Sequence, residues 1–348
     1  MRPPATTLAC VSAPVCLIVN PTAAGGKAGR LAPAAERSLR EQGLTVRRVN
    51  TRDIHHAREL GLAAAREGET VLALSGDGMV GVLADALREV PGARLGVLPG
   101  GRGNDLARVL GIPREPLAAC AASRSYLPRP LDLGVVEDAR AGQPGRAFVG
   151  VASAGFDSDC NRIANEAPAW LGSLAYAYSA LRGLLSWKPA RFTIELDPPG
   201  ERYSFSGYSV IVANSPTYGG GMRIAPEALL DDGLLDVVAI ERVGKLRFLA
   251  NLPRVFKGTH VHMDNVRTFR AAAVEISADR PFTMYADGDP IGELPLRLRS
   301  APAAVQLLVP VDASPSGAFS SGAPSRQPAP ASDPPSAAAA SKQSPARN

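Results

Sequence analysis

The sequence predicts an α/β chain of two domains, the first on a parallel sheet and the second on antiparallel strands, from three observations. At 348 residues it is long enough for two domains of the usual ~150 residues, each able to bury a core. As far as Pro113, short apolar runs alternate with helical periodicity, the pattern of a parallel sheet with right-handed crossovers and ligands at strand carboxyl ends. Beyond about Pro130 the texture changes to short β-like runs separated by turn clusters, which favours antiparallel pairing.

Residues 15–19 are an apolar run stopped by Asn20-Pro21; a glycine-rich turn follows, and helical spacing covers 31–42. Residues 45–49 read as a strand, 56–67 as a helix, 71–74 as a strand and 80–90 as a helix. Pro91-Gly92 interrupts, 94–98 is again strand-like, and a helix opening at Asp105 is ended by Gly111 and Pro113. The later β-like runs are 131–136, 147–151, 192–196, 208–213, 235–240, 274–277 and 305–309. Among them Trp170, Leu171, Leu174, Tyr178, Leu181 and Leu185 recur at helical spacing, an amphipathic helix. From Ala313 onward Ala, Ser, Pro and Gly supply 28 of 36 residues, with Phe319 the one aromatic, too little apolar surface to offset the ordering entropy. The expected division is an extension 1–13, a first domain 14–130, a second domain 131–312 and a disordered tail 313–348.

Composition narrows the class. Hydrophobic residues at 45 % and charged residues at 20 % exclude wholesale disorder and a polytopic membrane protein. Lys and Arg number 38 against 33 Asp and Glu, a net +5 without the dense basic stripe that nucleic acid leaves, so nucleic acid is not an expected partner. Cys10, Cys16, Cys120 and Cys160 show no metal-type spacing and read as isolated thiols in a reducing compartment, the cytoplasm. Residues 203–222 are broken by Asn214, Pro216 and Gly219-Gly220-Gly221, and 167–181 is too short for a span of ~20 residues. The N-terminus lacks a signal-peptide pattern.

Three loops carry the chemistry. Asn20-Pro21-Thr22-Ala23-Ala24-Gly25-Gly26-Lys27 follows a strand, and its small residues let backbone N–H groups approach phosphate oxygens, although the Gly-Lys-Ser/Thr ending of a Walker loop is missing. Ser75-Gly76-Asp77-Gly78 again joins strand to helix, with Asp77 able either to orient a metal-bound phosphate or to cap a helix. Leu98-Pro99-Gly100-Gly101-Arg102-Gly103-Asn104-Asp105 is the third. Three such loops at strand ends define one phosphate-binding edge. Asn214, Ser215 and Gly219 to Gly221 read either as further cleft lining or as a plain hairpin connection, and the four histidines as exposed.

The ordered set Asn20-Pro21-Thr22, Ser75-Gly76-Asp77-Gly78, Gly101-Arg102-Gly103-Asn104-Asp105, Ala225-Pro226, Asp231-Asp232-Gly233-Leu234-Leu235-Asp236 and Asp287-Gly288-Asp289 resembles the bacterial diacylglycerol kinase and related lipid kinase family. The resemblance covers residues 14–312 and extends, more distantly, to sphingosine, ceramide and NAD kinases. It implies a Rossmann-like nucleotide-binding domain, a β-sandwich-like second domain and an active site in the cleft between them. It implies ATP contacts on Asn20, Pro21, Thr22, Ala23 and Ala24, on Thr51, and on Ser75, Gly76, Asp77, Gly78, Met79, Val80 and Gly81. Asp289 corresponds to the family's proton acceptor, and a structural Mg²⁺ would take the Asp232 carboxylate with the carbonyls of Leu229 and Leu234. Implied partners are ATP and a diacylglycerol-like membrane lipid met at a peripheral membrane contact; a homodimer is left open.

Three departures stand out. Met79 replaces the usual hydroxyl, Arg102 replaces Thr and can pair with a phosphate, and Asp289 replaces Glu, shortening the base by about 1 Å. In a loose phosphoryl-transfer transition state, positioning and charge neutralisation dominate, so Asp77 would organise the phosphate region, with Arg102 or Lys27 as charge partners, and Asp289 would take the hydroxyl proton. The helix at 170–185, with Trp187 and Lys188 at its end, is the expected membrane-docking element or else core. Two alternatives are kept: an NAD-kinase-like enzyme with a soluble substrate, and a nucleotide-binding regulator with a lapsed site.

Overall fold

In a computed structural model of the chain, the residues described are 13–137, 145–156, 158, 183–184, 187–198, 200–311 and 317–320. β1 (Val15–Val19) is apolar and buried at all five positions because it lies inside a parallel sheet covered on both faces. It pairs in parallel with β2 (Val46–Asn50) and β3 (Thr70–Ser75), and β4 (Arg94–Pro99) continues beyond β3. The order β2-β1-β3-β4 reverses its winding at β1, the switch point at which open α/β sheets take ligands.

The helices of this half are α1 (Ala23–Glu41), α2 (Ile54–Arg66), α3 (Asp77–Leu87), α4 (Asp105–Val109) and α5 (Pro116–Ala122). The Asp53 carboxylate caps α2 through the His56 N–H at 2.8 Å. α2 lies close on α3 because Gly61 has no Cβ: one would stand 2.6 Å from a Leu83 methyl.

The second half is antiparallel. Its described strands are β5 (Leu127–Glu137), β6 (Ala147–Phe148), β7 (Val151–Gly155), β8 (Ala190–Asp197), β9 (Arg202–Ala213), β10 (Leu235–Glu241), β11 (Val266–Ala271), β12 (Ala273–Ala278), β13 (Thr283–Ala286), β14 (Asp289–Glu293) and β15 (Leu296–Val309), and the described residues also include a long helix, α6 (Lys245–Lys257). β8 shows the cause: Phe192, Ile194 and Leu196 turn inward while Arg191, Glu195 and Asp197 face water. β9 pairs antiparallel with β7, β8 and β10, and β12 with β8. β15 belongs to both halves: residues 296–299 pair with β12, while Gln306 and Leu307 pair in parallel with β4. The fifteen described strands thereby form one continuous sheet. The core divides into one cluster around β1, β3 and β4, another around Phe192, Tyr208 and Met284, and a small third around Ile211, Ile224 and Val238. The fold is mixed α/β with a β-sandwich-like second domain, as the resemblance implies.

Several expectations are corrected. The helical pattern at 170–181 lies outside the described residues, as do Cys10, Cys160 and Leu185. Trp187 is not a docking residue: it is buried, its ring edge-on to Phe156 at 5.6 Å. His260 is not exposed but buried, with Nε2 3.1 Å from the Ile224 carbonyl. Part of the Ala/Ser/Pro-rich tail is ordered. Ala318 and Phe319 are buried in the first cluster, the Leu230 N–H donates to the Ala318 carbonyl at 2.9 Å, and the Arg129 guanidinium covers the Phe319 ring at 4.3 Å.

Candidate active site

The three glycine loops follow β1, β3 and β4 and so lie on one sheet edge. In the first, Asn20 Oδ1 accepts from the Thr22 N–H at 3.1 Å and hydroxyl at 2.9 Å, and the Asn20 N–H donates to the Leu74 carbonyl at 3.2 Å. Ala24, Gly25 and Gly26 follow with φ of 48°, 65° and 84°, a left-handed run before the regular part of α1 in which the Gly26 N–H donates to the Thr22 carbonyl at 3.2 Å. The second and third loops touch backbone to backbone. A Cβ on Gly101 would stand 2.3 Å from Gly76 Cα, so only glycine permits this stacking. Asn104, at φ 51°, locks the third loop by accepting from the Gly101 N–H at 2.8 Å and donating to its carbonyl at 3.0 Å.

Asp77 takes the capping role. It accepts from the N–H groups of Asp105 (3.0 Å) and Leu106 (3.2 Å), so it holds the start of α4, and burial raises its pKa despite those bonds. Asp77, Gly81 and Asp85 stand four apart on one face of α3, the face turned to the second domain. A Cβ on Gly81 would lie 2.9 Å from Asp287 Oδ2, and Asp85 accepts from the Ala147 N–H at 2.9 Å while pairing with Arg58 and Arg88. From the other side, Gly220 donates its N–H to Asp105 at 2.7 Å. Asp287, at φ 50° between β13 and β14, accepts from the N–H groups of Val149 and Gly150, each at 2.9 Å. Burial first, and the charge of Asp77 among lesser causes, pushes its pKa up to about 6.

Between these contacts lies a cleft of about 930 Å³, lined from the first half by Gly76, Asp77, Gly78, Val80, Arg102 and Asp105 and from the second by Ser215, Thr217, Gly219, Gly220, Tyr285, Asp287 and Gly288, among others. Ser215 Oγ and Thr217 Oγ1 are buried there without a hydrogen-bond partner among the described residues. Buried orphan hydroxyls fit a polar ligand.

Other expected residues fall elsewhere. Asn20 to Ala24 share the sheet edge but do not line the cleft; Thr51, also outside it, turns its hydroxyl to the Val19 carbonyl at 3.3 Å. Ser75 is buried at the end of β3, Met79 is buried in the first core, and Gly81 packs against Asp287. Lys27 pairs with Glu115 at 3.6 Å, away from the cleft lining, whereas Arg102 lies on the wall. Asp289 follows Gly288 at the rim, partly exposed, its carboxylate 2.8 Å from Arg146 Nη2. Of the expected metal ligands, Asp232 accepts the Leu234 N–H at 3.0 Å with one oxygen and pairs with Arg270 through the other. Arg270 Nε also lies 3.4 Å from Asp236 Oδ1. Sequence reasoning missed the bridging roles of Asp105 and Asp287, although both sit in the motifs, and it missed Thr217 and Tyr285, which no motif marks.

Two family matches divide the chain along the same lines: the diacylglycerol kinase catalytic domain over residues 14–136, and the YegS C-terminal NAD kinase beta sandwich-like domain over 150–309. A protein of Mycobacterium tuberculosis named diacylglycerol kinase is 34 % identical over 308 residues, 85 % of this chain and 95 % of its own length. A YegS-like lipid kinase relative from Pseudomonas putida is 32 % identical over 246 residues, 69 % of this chain and 77 % of its own. Among solved structures, a Bacillus anthracis diacylglycerol kinase superposes with a TM-score of 0.66 at 18 % identity, over 86 % of this chain and 97 % of that one. Another chain from the same organism gives 0.72 at 21 %, over 86 % and 95 %. At such identities the superpositions show the fold alone. The sequence relatives go further: the chain belongs to the diacylglycerol kinase and YegS-like lipid kinase family. It is accordingly a kinase, a phosphotransferase of the lipid kinase class.

Proposed function

We propose that this protein transfers the γ-phosphoryl group of ATP, delivered as its magnesium complex, to the hydroxyl of diacylglycerol or a similar neutral lipid alcohol. The observation that carries the reading is the meeting, at one cleft, of the glycine loops after β3 and β4 with a second-domain wall that carries Ser215, Thr217 and Asp287, the loop after β1 lying on the same sheet edge. The names of the Mycobacterium tuberculosis and Bacillus subtilis relatives, both diacylglycerol kinase, support the choice of acceptor.

In this reading residues 14–130 bind the nucleotide and 131–312 complete the lipid side. The N–H groups of the Gly76 to Gly78 turn hold the phosphates, with the Asn20 to Ala24 loop beside them on the same sheet edge, and Arg102 neutralises charge that spreads onto the γ-phosphoryl oxygens in the loose transition state. Asp77 keeps the third loop in register by capping α4. The lipid oxygen bonds to Pγ, the bond from Pγ to the β,γ-bridging oxygen breaks, ADP leaves, and the hydroxyl proton passes to Asp289. Asp289 is one residue beyond the cleft-lining Gly288, and to act it must exchange its Arg146 partner for the substrate hydroxyl. Among the described residues no helix is long and apolar enough to cross a membrane; in this reading the lipid is met from the bilayer surface.

The test is transfer of label from γ-labelled ATP to mixed micelles of diacylglycerol, monoacylglycerol, ceramide and sphingosine, with NAD as a soluble control. Label in phosphatidic acid is expected; Asp289→Asn should lower turnover ~10²-fold or more with ATP affinity kept. Label in NADP alone would move the chain to a soluble-substrate kinase. ATP binding without transfer to any acceptor would mark a lapsed site, a reading favoured by the Asp289 to Arg146 ion pair.

A further inference from the structure

Helix α6 has no buried residue. Its inner face is held only in part, Phe248 and Leu249 resting on the second-domain core and Val255 on the small cluster around Ile224 and Val238. By helical spacing Leu246, Ala250, Pro253 and Lys257 project away from that face. Leu246 is 85 % exposed and Phe256, beside this stripe, 54 %.

A single exposed leucine is ordinary; the charge around this one is not. Residues 242–263 contain Arg242, Lys245, Arg247, Arg254 and Lys257 and no Asp or Glu, a local excess equal to the net +5 of the whole chain. Arg247 and Arg254, seven apart, share one side of the helix, and all five cations are exposed. Lys245 and Arg247 sit in the first turn, where the helix dipole disfavours cations, and no side chain caps that end. The arrangement works against the isolated helix and suits an external anion.

The position suits the cleft as well. The Arg223 N–H donates to the Val255 carbonyl at 3.0 Å, and Gly258 closes on Pro226 and Arg223. The tail of α6 is thereby tied to the loop whose leading residues Tyr218, Gly219 and Gly220 line the cleft.

We propose that α6 docks this protein on an anionic membrane surface. Leu246 and Phe256 enter the boundary between headgroups and acyl chains, and Arg247, Arg254 and Lys257 meet lipid phosphates, so that the cleft opens beside the bilayer. A second copy of the chain is the poorer occupant, because two such faces would set five cations against five. The functional consequence rests on the lipid kinase reading; the docking itself does not.

Sedimentation with phosphatidylcholine vesicles, with and without phosphatidylglycerol, tests it. Binding should be at least ~10-fold stronger to the anionic vesicles and weaken with salt. Leu246→Glu with Phe256→Glu, and separately Arg247→Glu with Arg254→Glu, should each remove ~10-fold or more of that binding while leaving turnover on a monomerically dispersed short-chain diacylglycerol unchanged. A Leu246→Trp variant should shift its emission to the blue on adding anionic vesicles, a reading that does not depend on the double variants folding. Vesicle binding unchanged in both double variants, equal binding to neutral vesicles, or a dimer that the variants convert to monomer would overturn the proposal. Wild-type binding through α6 without phosphorylation of any lipid would uphold docking while refuting the lipid kinase reading.

Discussion

Asp77 and Asp287 are both aspartates of an Asp-Gly pair, yet their environments give them different work. Asp77 spends its oxygens on the N–H groups that open α4, which places the third glycine loop over the second. Asp287 is partly buried on the cleft wall and clasps residues 149–151, Gly150 lying 137 positions away. Because burial raises the Asp287 pKa to about 6, the fold prefers its protonated form. Its contribution to stability is therefore fully present below the unfolded value of ~4 and is lost as pH rises towards 6. Asp287→Asn removes this titration, so its stability should change less with pH between those limits. Absolute stability should fall, because the amide sets an NH₂ against the Val149 and Gly150 donors. Thermal melts from pH 4 to 7 would decide it, and an unchanged slope in the variant would sink the assignment. The Asp-Gly pairs were legible in the sequence; the desolvation was not, since it depends on chain brought in from far away.

Strands β1 to β4 and their glycine loops were legible because a buried parallel strand is a plain apolar run with a breaker at its end. β11, β13 and β14 were not, being VRTFRA, TMYA and DPIGE, whose apolar content is thin and whose pairing comes from neighbouring strands. α6 escaped for a related reason: Pro253 lies inside it and no capping residue announces it. The glycine loops carry a prediction of their own. Gly101→Ala would drive a methyl to 2.3 Å from Gly76 Cα, so the two loops must part. ATP affinity is expected to fall ~10-fold or more, with a loss of about 1–3 kcal/mol in stability. Calorimetric titration with a non-hydrolysable nucleotide measures it, and wild-type affinity would show that the stacking of these loops does not shape the site.

On the scale of the whole molecule, the two halves are joined by more than the linking chain. β15 runs from the antiparallel strands into the parallel sheet, α3 meets the second half through Gly81 and Asp85, and residues 317–320 return to cover the first core. The return is anchored by Phe319 under Arg129 and by the Ser320 N–H, which donates to Asp231 Oδ1 at 2.7 Å. Phe319→Ala should cost about 3 kcal/mol, while a chain ending at Ser320 keeps the anchor and one ending at Asp312 loses it. Denaturant melts of the three would test this, and equal midpoints for the two truncations would refute it. Composition misled here because Phe319 is one aromatic in a run of Ala, Ser, Pro and Gly, and a single anchoring residue barely alters an average.

The sequence by itself determined the alternation of strand and helix, the three loops and their order, and the family they resemble, because each is written in residues adjacent along the chain. The tertiary structure decided which charges meet. It set Arg270 on Asp232, Arg146 on Asp289 and Glu115 on Lys27, and it gathered Asp77, Asp105 and Asp287 around one cleft. Electrostatic partnership depends on distance through space and on burial, and neither is fixed until strands far apart in sequence have paired.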